Sequence, residues 1–217
     1  MKQIFLIGDS IRLGYDKYVR SCFQDVAEVL FPEENCRFAE YTLRFLHKWG
    51  EDLGVSREQL DVIHWNAGLW DNLRLFECPP ITPIEVYAGY IEQIQKRIER
   101  LYPNAISIFA TATPVLPRDR WPDPARMCRD NADVAAYNKA ALEVLKPYGV
   151  RVDDLYEVMK DAPESEHSDM THYYTPEGTK RIGEAVKRSL LDALGMQEGE
   201  LLHDGGEYSD PDEIIGI

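Results

Sequence analysis

The chain has 217 residues, of which 44% are hydrophobic and 29% charged, with 38 acidic residues against 24 Lys and Arg for a formal net charge of −14. That length supports one substantial core, and that charge argues against nucleic acid or an anionic membrane surface as partner, because both call for a concentration of Lys and Arg. No window offers the about 18 consecutive apolar residues of a membrane span, and the N-terminal residues lack the charged lead, apolar run and small-residue site of an export signal.

Cys22, Cys36, Cys78 and Cys128 are widely spaced, with no C-x-x-C pair and no His at ligand spacing. They read as free thiols in a reducing compartment, so the expectation is a cytoplasmic protein that needs no metal or organic cofactor. Composition leaves homo-oligomerisation open. Residues 196–217 hold seven acids and no Lys or Arg, which separates an acidic C-terminal tail from a single expected domain over 1–195.

In chain order, the apolar run Met1 to Ile7 is a strand that leads directly into Gly8-Asp9-Ser10. Arg12 to Phe23 follows as a helix, then Ala27 to Phe31 as a short strand closed by Pro32. Tyr41 to Trp49 reads as helical, and Asp61 to Asn66 as the next strand, ended by Gly68. From Pro83 to Tyr102, Ile84, Tyr87, Ala88, Ile91, Ile94, Ile98 and Leu101 recur at helical spacing, with Thr82 as the expected N-cap and Pro83 in the first helical position. Ala105 to Thr111 is a strand, Asp133 to Pro147 a helix and Val150 to Asp153 a short strand. Thr175 caps a last helix from Pro176 to about Leu194.

Five strands alternating with helices imply an α/β fold, a three-layer α/β/α sandwich with a five-stranded, mostly parallel sheet of the flavodoxin-like kind. Such sheets place their sites outside the carboxyl ends of the strands. Ser10, Asn35, Asn66 to Asp71, Thr111 to Pro114 and Asp169 to His172 all fall at that edge. A serine hydroxyl is a weak nucleophile until a base takes its proton, and the base works best when a carboxylate fixes its tautomer. Ser10, His172 and Asp169 supply those three roles. His172 is preferred to His167 as base because a carboxylate three residues earlier can reach its Nδ1 and leave Nε2 for Ser10.

Gly8-Asp9-Ser10 after the first strand and Asp169-x-x-His172 before the last helix resemble the SGNH hydrolases, also called GDSL-type esterases and lipases. The resemblance implies a serine nucleophile and an oxyanion hole built from the serine amide, a glycine amide after the second strand and an asparagine after the third. No glycine lies between Gly14 and Gly50, so the amide of Cys36 stands in the expected place. The family's G-x-N-D reads Gly68-Leu69-Trp70-Asp71 here, which makes Asn66 the candidate donor and Asn35 the second choice, with Asn35 and Trp70 left as substrate contacts.

The implied activity is hydrolysis of short-chain O-acyl esters, O-acetyl first, on a small molecule or a saccharide. An acyltransferase with the same triad, or a weakened binding domain of the same descent, stays open beside it. The proline-rich segment 114–131 is expected to lack regular structure and to shape the acyl or alcohol pocket, with Arg118, Arg120, Arg126 and Arg129 as a local positive patch.

Overall fold

The computed structural model describes residues 1–206. Strand β1 (Lys2–Ile7) runs into helix α1 (Ser10–Phe23), followed by β2 (Ala27–Leu30), α2 (Ala39–Asp52) and β3 (Val62–Trp65). A two-residue strand β4 (Arg74–Leu75) precedes α3 (Ile84–Leu101), β5 (Ile106–Ala110), the equally short β6 (Met127–Cys128) and α4 (Asn131–Leu145). Strand β7 (Arg151–Asp153), the single turn α5 (Leu155–Met159) and α6 (Pro176–Leu194) complete the chain order.

The main sheet has the order β2-β1-β3-β5-β7, and every pair in it is parallel. Numbered within the sheet this is 2-1-3-4-5, the doubly wound order whose direction switches between β1 and β3. Period-two alternation separates the two cores: Ile4 and Leu6 of β1 pack with α1 and α6, whereas Phe5 and Ile7 pack with α2, α3 and α4. Ile4, Phe5 and Leu6 are completely buried, as a strand covered on both faces must be. The expected three-layer α/β/α arrangement is therefore present.

Boundaries shift where capping chemistry decides them. Helix α1 begins at Ser10, two residues before the expected start, because the Asp9 carboxylate accepts the Ile11 amide at 3.0 Å. Helix α3 starts at Ile84 with Pro83 in the N-cap position, so the expected Thr82 cap lies one residue too early. Thr175 does cap α6, accepting the Gly178 amide at 3.1 Å. The segment 114–131 is more ordered than its proline content suggests: Trp121 is buried with its indole N–H donated to the Leu116 carbonyl at 3.1 Å, and β6 pairs antiparallel with β4.

The first half of the expected tail packs back on the body. Lys187 bonds Glu198 at 2.8 Å, and the Tyr18 hydroxyl donates to the Asp204 carbonyl at 3.0 Å. The remainder of the tail lies outside the described residues. Among the described residues, no helix is long and apolar enough to cross a membrane, and no cluster of His, Cys, Asp and Glu is arranged to hold a metal ion.

Candidate active site

The carboxyl ends of β1 and β3, the switch point of the sheet, carry Gly8-Asp9-Ser10 and Asn66. Ser10 occupies the first position of α1, where its amide has no intrahelical acceptor. Opposite it, the turn before α6 brings His172 Nε2 to 2.8 Å from Ser10 Oγ, and His172 Nδ1 to 2.6 Å from Asp169 Oδ2. With Nδ1–H donated to the carboxylate, Nε2 is left to accept the Ser10 hydroxyl proton. Asp169 Oδ1 accepts the amides of Thr171 at 2.7 Å and His172 at 2.8 Å, so one carboxylate shapes the turn and orients the ring. Partial burial pushes the Asp169 carboxyl up, but the His172 hydrogen bond and charge and those two amides outweigh it and bring it down to about 2.

Tyr174 fixes the imidazole from its other side. The two rings stack with centroids 4.7 Å apart and 18° between planes, and the Tyr174 hydroxyl donates to the Ser10 carbonyl at 2.8 Å. This fit depends on Gly14, where a Cβ would stand 2.8 Å from the tyrosine ring. No motif pointed to Tyr174, because an aromatic two residues beyond a histidine has no signature of its own.

The residues expected around the oxyanion divide. Asn66 is buried against Gly8 and Asp9, with its Oδ1 only 1.9 Å from where a Gly8 Cβ would be. Burial raises the Asp9 carboxyl, and a hydrogen bond with the Asn66 side chain works in the opposite direction. Cys36 is a correction: its amide already donates to the Gly8 carbonyl at 3.1 Å, and its thiol, pushed up to about 11 by burial, is inert. Asn35 is buried, and its Oδ1 accepts the Arg37 amide of its own loop at 2.8 Å. Trp70 stands half-buried after β3. His167 packs against Tyr173 with centroids 4.1 Å apart and the rings tilted by 40°, and takes no part in the Ser10 contact.

Two further charged residues organise the surrounding loops. Arg12, fully buried, pairs with Asp16 at 2.5 Å and donates to the Glu34 carbonyl at 2.7 Å, tying α1 to the loop after β2. Asp71 reaches across from the loop after β3 to accept the Ala39 amide at 3.1 and 3.3 Å, capping α2 where Phe38 offers no side-chain acceptor. Burial raises the Asp71 carboxyl to about 7, against the lowering effect of the Ala39 amide and Thr82. The signal for Asp71 was its place in Gly68-Leu69-Trp70-Asp71.

The expected arginine patch is only partly present. Arg120 pairs with Glu164 at 2.8 Å on the surface, but Arg129 is buried and bonded into the site loops. Beside that segment, Leu75, Phe76, Trp121, Pro122, Asp123, Arg126 and Met127 line a largely apolar cavity of about 410 Å³. Of its lining residues, Trp121 is tied to the triad loop by two bonds, its own to the Leu116 carbonyl and that of the Leu116 amide to the Met170 carbonyl at 2.9 Å.

No family model matches the chain, and no curated protein matches it. Solved structures do. A lipase/acylhydrolase from Enterococcus faecalis aligns with a TM-score of 0.67 at 19% identity, covering 95% of this chain and 100% of that one. The acetylxylan esterase Axe2 from Geobacillus stearothermophilus aligns at 0.62 and 15% identity, covering 91% and 95%. The psychrotrophic esterase EstA from a Pseudoalteromonas species, in a structure inhibited by monoethylphosphonate, aligns at 0.61 and 12% identity, covering 88% and 99%. With its 2-1-3-4-5 parallel sheet, helices on both faces and these structural likenesses, the chain has the fold of the SGNH hydrolases.

Proposed function

We propose that the protein is a serine ester hydrolase that removes short acyl groups, acetyl first, from small-molecule or saccharide alcohols. The observation that carries this reading is the continuous contact Ser10 Oγ to His172 Nε2 at 2.8 Å and His172 Nδ1 to Asp169 Oδ2 at 2.6 Å. His172 takes the Ser10 proton as Oγ attacks the ester carbonyl, and the tetrahedral oxyanion collapses to an acyl-serine as His172 returns the proton to the departing alkoxide. Water, deprotonated by the same imidazole, then attacks the acyl-serine and releases the acid. The Ser10 amide and the Asn66 carboxamide are the proposed oxyanion donors, and Trp70 the proposed substrate contact at the rim.

Access of water favours hydrolysis over acyl transfer: the Asp169 side chain is 41% exposed and that of His172 22%, so the triad stands at an open rim. A panel of nitrophenyl esters and acetylated sugars tests the proposal. Expected is turnover that declines as the acyl chain lengthens and that disappears in Ser10→Ala; turnover retained in Ser10→Ala would contradict it.

A further inference from the structure

Arg129 follows β6 and is 9% exposed, a buried cation with no part in the acyl-transfer steps. Its Nε donates to the Leu69 carbonyl at 2.5 Å, and its Nη1 donates to Thr171 Oγ1 at 3.1 Å. Leu69 belongs to the loop after β3, directly before Trp70. Thr171 lies between Asp169 and His172, and its amide is one of the two that Asp169 Oδ1 accepts. One rigid guanidinium fork therefore joins the β3 loop to the turn that carries the base and its orienter.

The charges it faces are acidic, Asp9 at the nucleophile corner and Asp169 in the triad, with the Cys128 thiol beside it in sequence. Burial brings the guanidinium down to about 10, so it stays a cation at neutral pH. Desolvating a charge is costly unless its partners compensate, and a purely spacing role would not call for one. Arg also supplies two differently directed N–H groups in fixed geometry, which Lys cannot reproduce.

We propose that Arg129 is a positioning residue for the proposed hydrolysis: through Thr171 it holds the Asp169–His172 turn in register with Ser10. The inference rests on the hydrolase reading. Displacing Thr171 disturbs both an amide that Asp169 accepts and the backbone that carries the imidazole. The loss falls on the chemical step, since nothing of Arg129 needs to touch the substrate.

The experiment compares the full chain with Arg129→Met, Arg129→Lys, Thr171→Val and the Arg129→Met/Thr171→Val double variant on nitrophenyl acetate, with circular dichroism to establish folding. Misplacing a reacting group by about 1 Å costs on the order of 10²-fold, so Arg129→Met should lower kcat about 10- to 100-fold and leave KM within about threefold. Arg129→Lys, with the charge but not the fork, should recover only part of the loss. The double variant should be no slower than Arg129→Met, because both changes break one link.

A folded Arg129→Met enzyme with unchanged kcat overturns the proposal, as does a double variant in which the two losses multiply. If Arg129→Met does not fold, Thr171→Val decides, and unchanged kcat there overturns it. Failure of the hydrolase reading looks different: the parent chain itself would neither turn over the ester nor bind a fluorophosphonate at Ser10.

Discussion

At the scale of single residues, the site depends on contacts that leave no spare volume. Gly8 is the sharpest case. A methyl group there would stand 1.9 Å from Asn66 Oδ1 and 2.7 Å from the Arg12 Cβ, and both neighbours are buried. Gly8→Ala should therefore displace the Asn66 carboxamide and the Ser10 corner together, lowering both Tm and kcat; an enzyme with parental kcat and Tm would refute the tight fit. Asn66→Ala is milder, since it deletes the proposed oxyanion donor and leaves space: kcat should fall roughly 10²–10³-fold with the fold intact, in line with the loss of one such donor.

Ser10, Asp169 and His172 were legible because their chemistry demands those residue types in short, ordered blocks. Cys36 was not, because the partner of a backbone N–H is set by the path of the chain rather than by the side chain that accompanies it. Arg129 was misread for a related reason: arginines in proline-rich loops are usually solvated, and nothing in the sequence marks one that turns inward to Leu69 and Thr171.

At the scale of elements, the long amphipathic segments were readable and the short ones were not. Helix α3 followed its 3.6-residue repeat, and β1 its apolar run. The β4–β6 pair consists of two residues on each side, brought together from opposite ends of a long stretch of chain, so no local pattern encodes it. Helix α5 is a single turn with too few positions to show a period.

The β4–β6 pair matters because it lines the apolar cavity, and directly after β4 Phe76 and Glu77 sit at φ of 52° and 59°, a left-handed conformation that costs a side-chain-bearing residue on the order of 1–3 kcal/mol. Phe76 is also 71% exposed, so strain and exposure coincide at the cavity mouth. Phe76→Gly relieves the strain and removes the ring. It should raise KM for esters of bulky aryl alcohols several-fold with Tm unchanged or higher, whereas an equal loss on every ester would remove the cavity from substrate binding.

At the scale of the whole molecule, the topology followed from the alternation of strands and helices, and the position of the site followed from the topology. What the sequence could not convey was the electrostatics of burial. Asp71 has its carboxyl raised to about 7, so between about pH 4 and 7 the folded state keeps a proton that the unfolded chain releases. Its contribution to stability is therefore present at low pH and lost as pH rises, with a slope of up to about 1.4 kcal/mol per pH unit.

Asp169 has the opposite sign. Its lowered carboxyl adds stability above about pH 4 that is lost as pH falls toward 2. Asp71→Asn keeps an oxygen for the Ala39 amide and removes the titration. Urea unfolding at pH 4.5 and 7.5 should find the variant gaining on the parent as pH rises, and a difference independent of pH would contradict the assignment.

Activation of Ser10 as a nucleophile is measured directly by intact-mass spectrometry after incubation with a fluorophosphonate. Expected is one adduct per chain, mapped to Ser10, formed slowly in His172→Ala and not at all in Ser10→Ala. A parent chain that stays unlabelled while folded, or a Ser10→Ala chain labelled as fast as the parent, would contradict it.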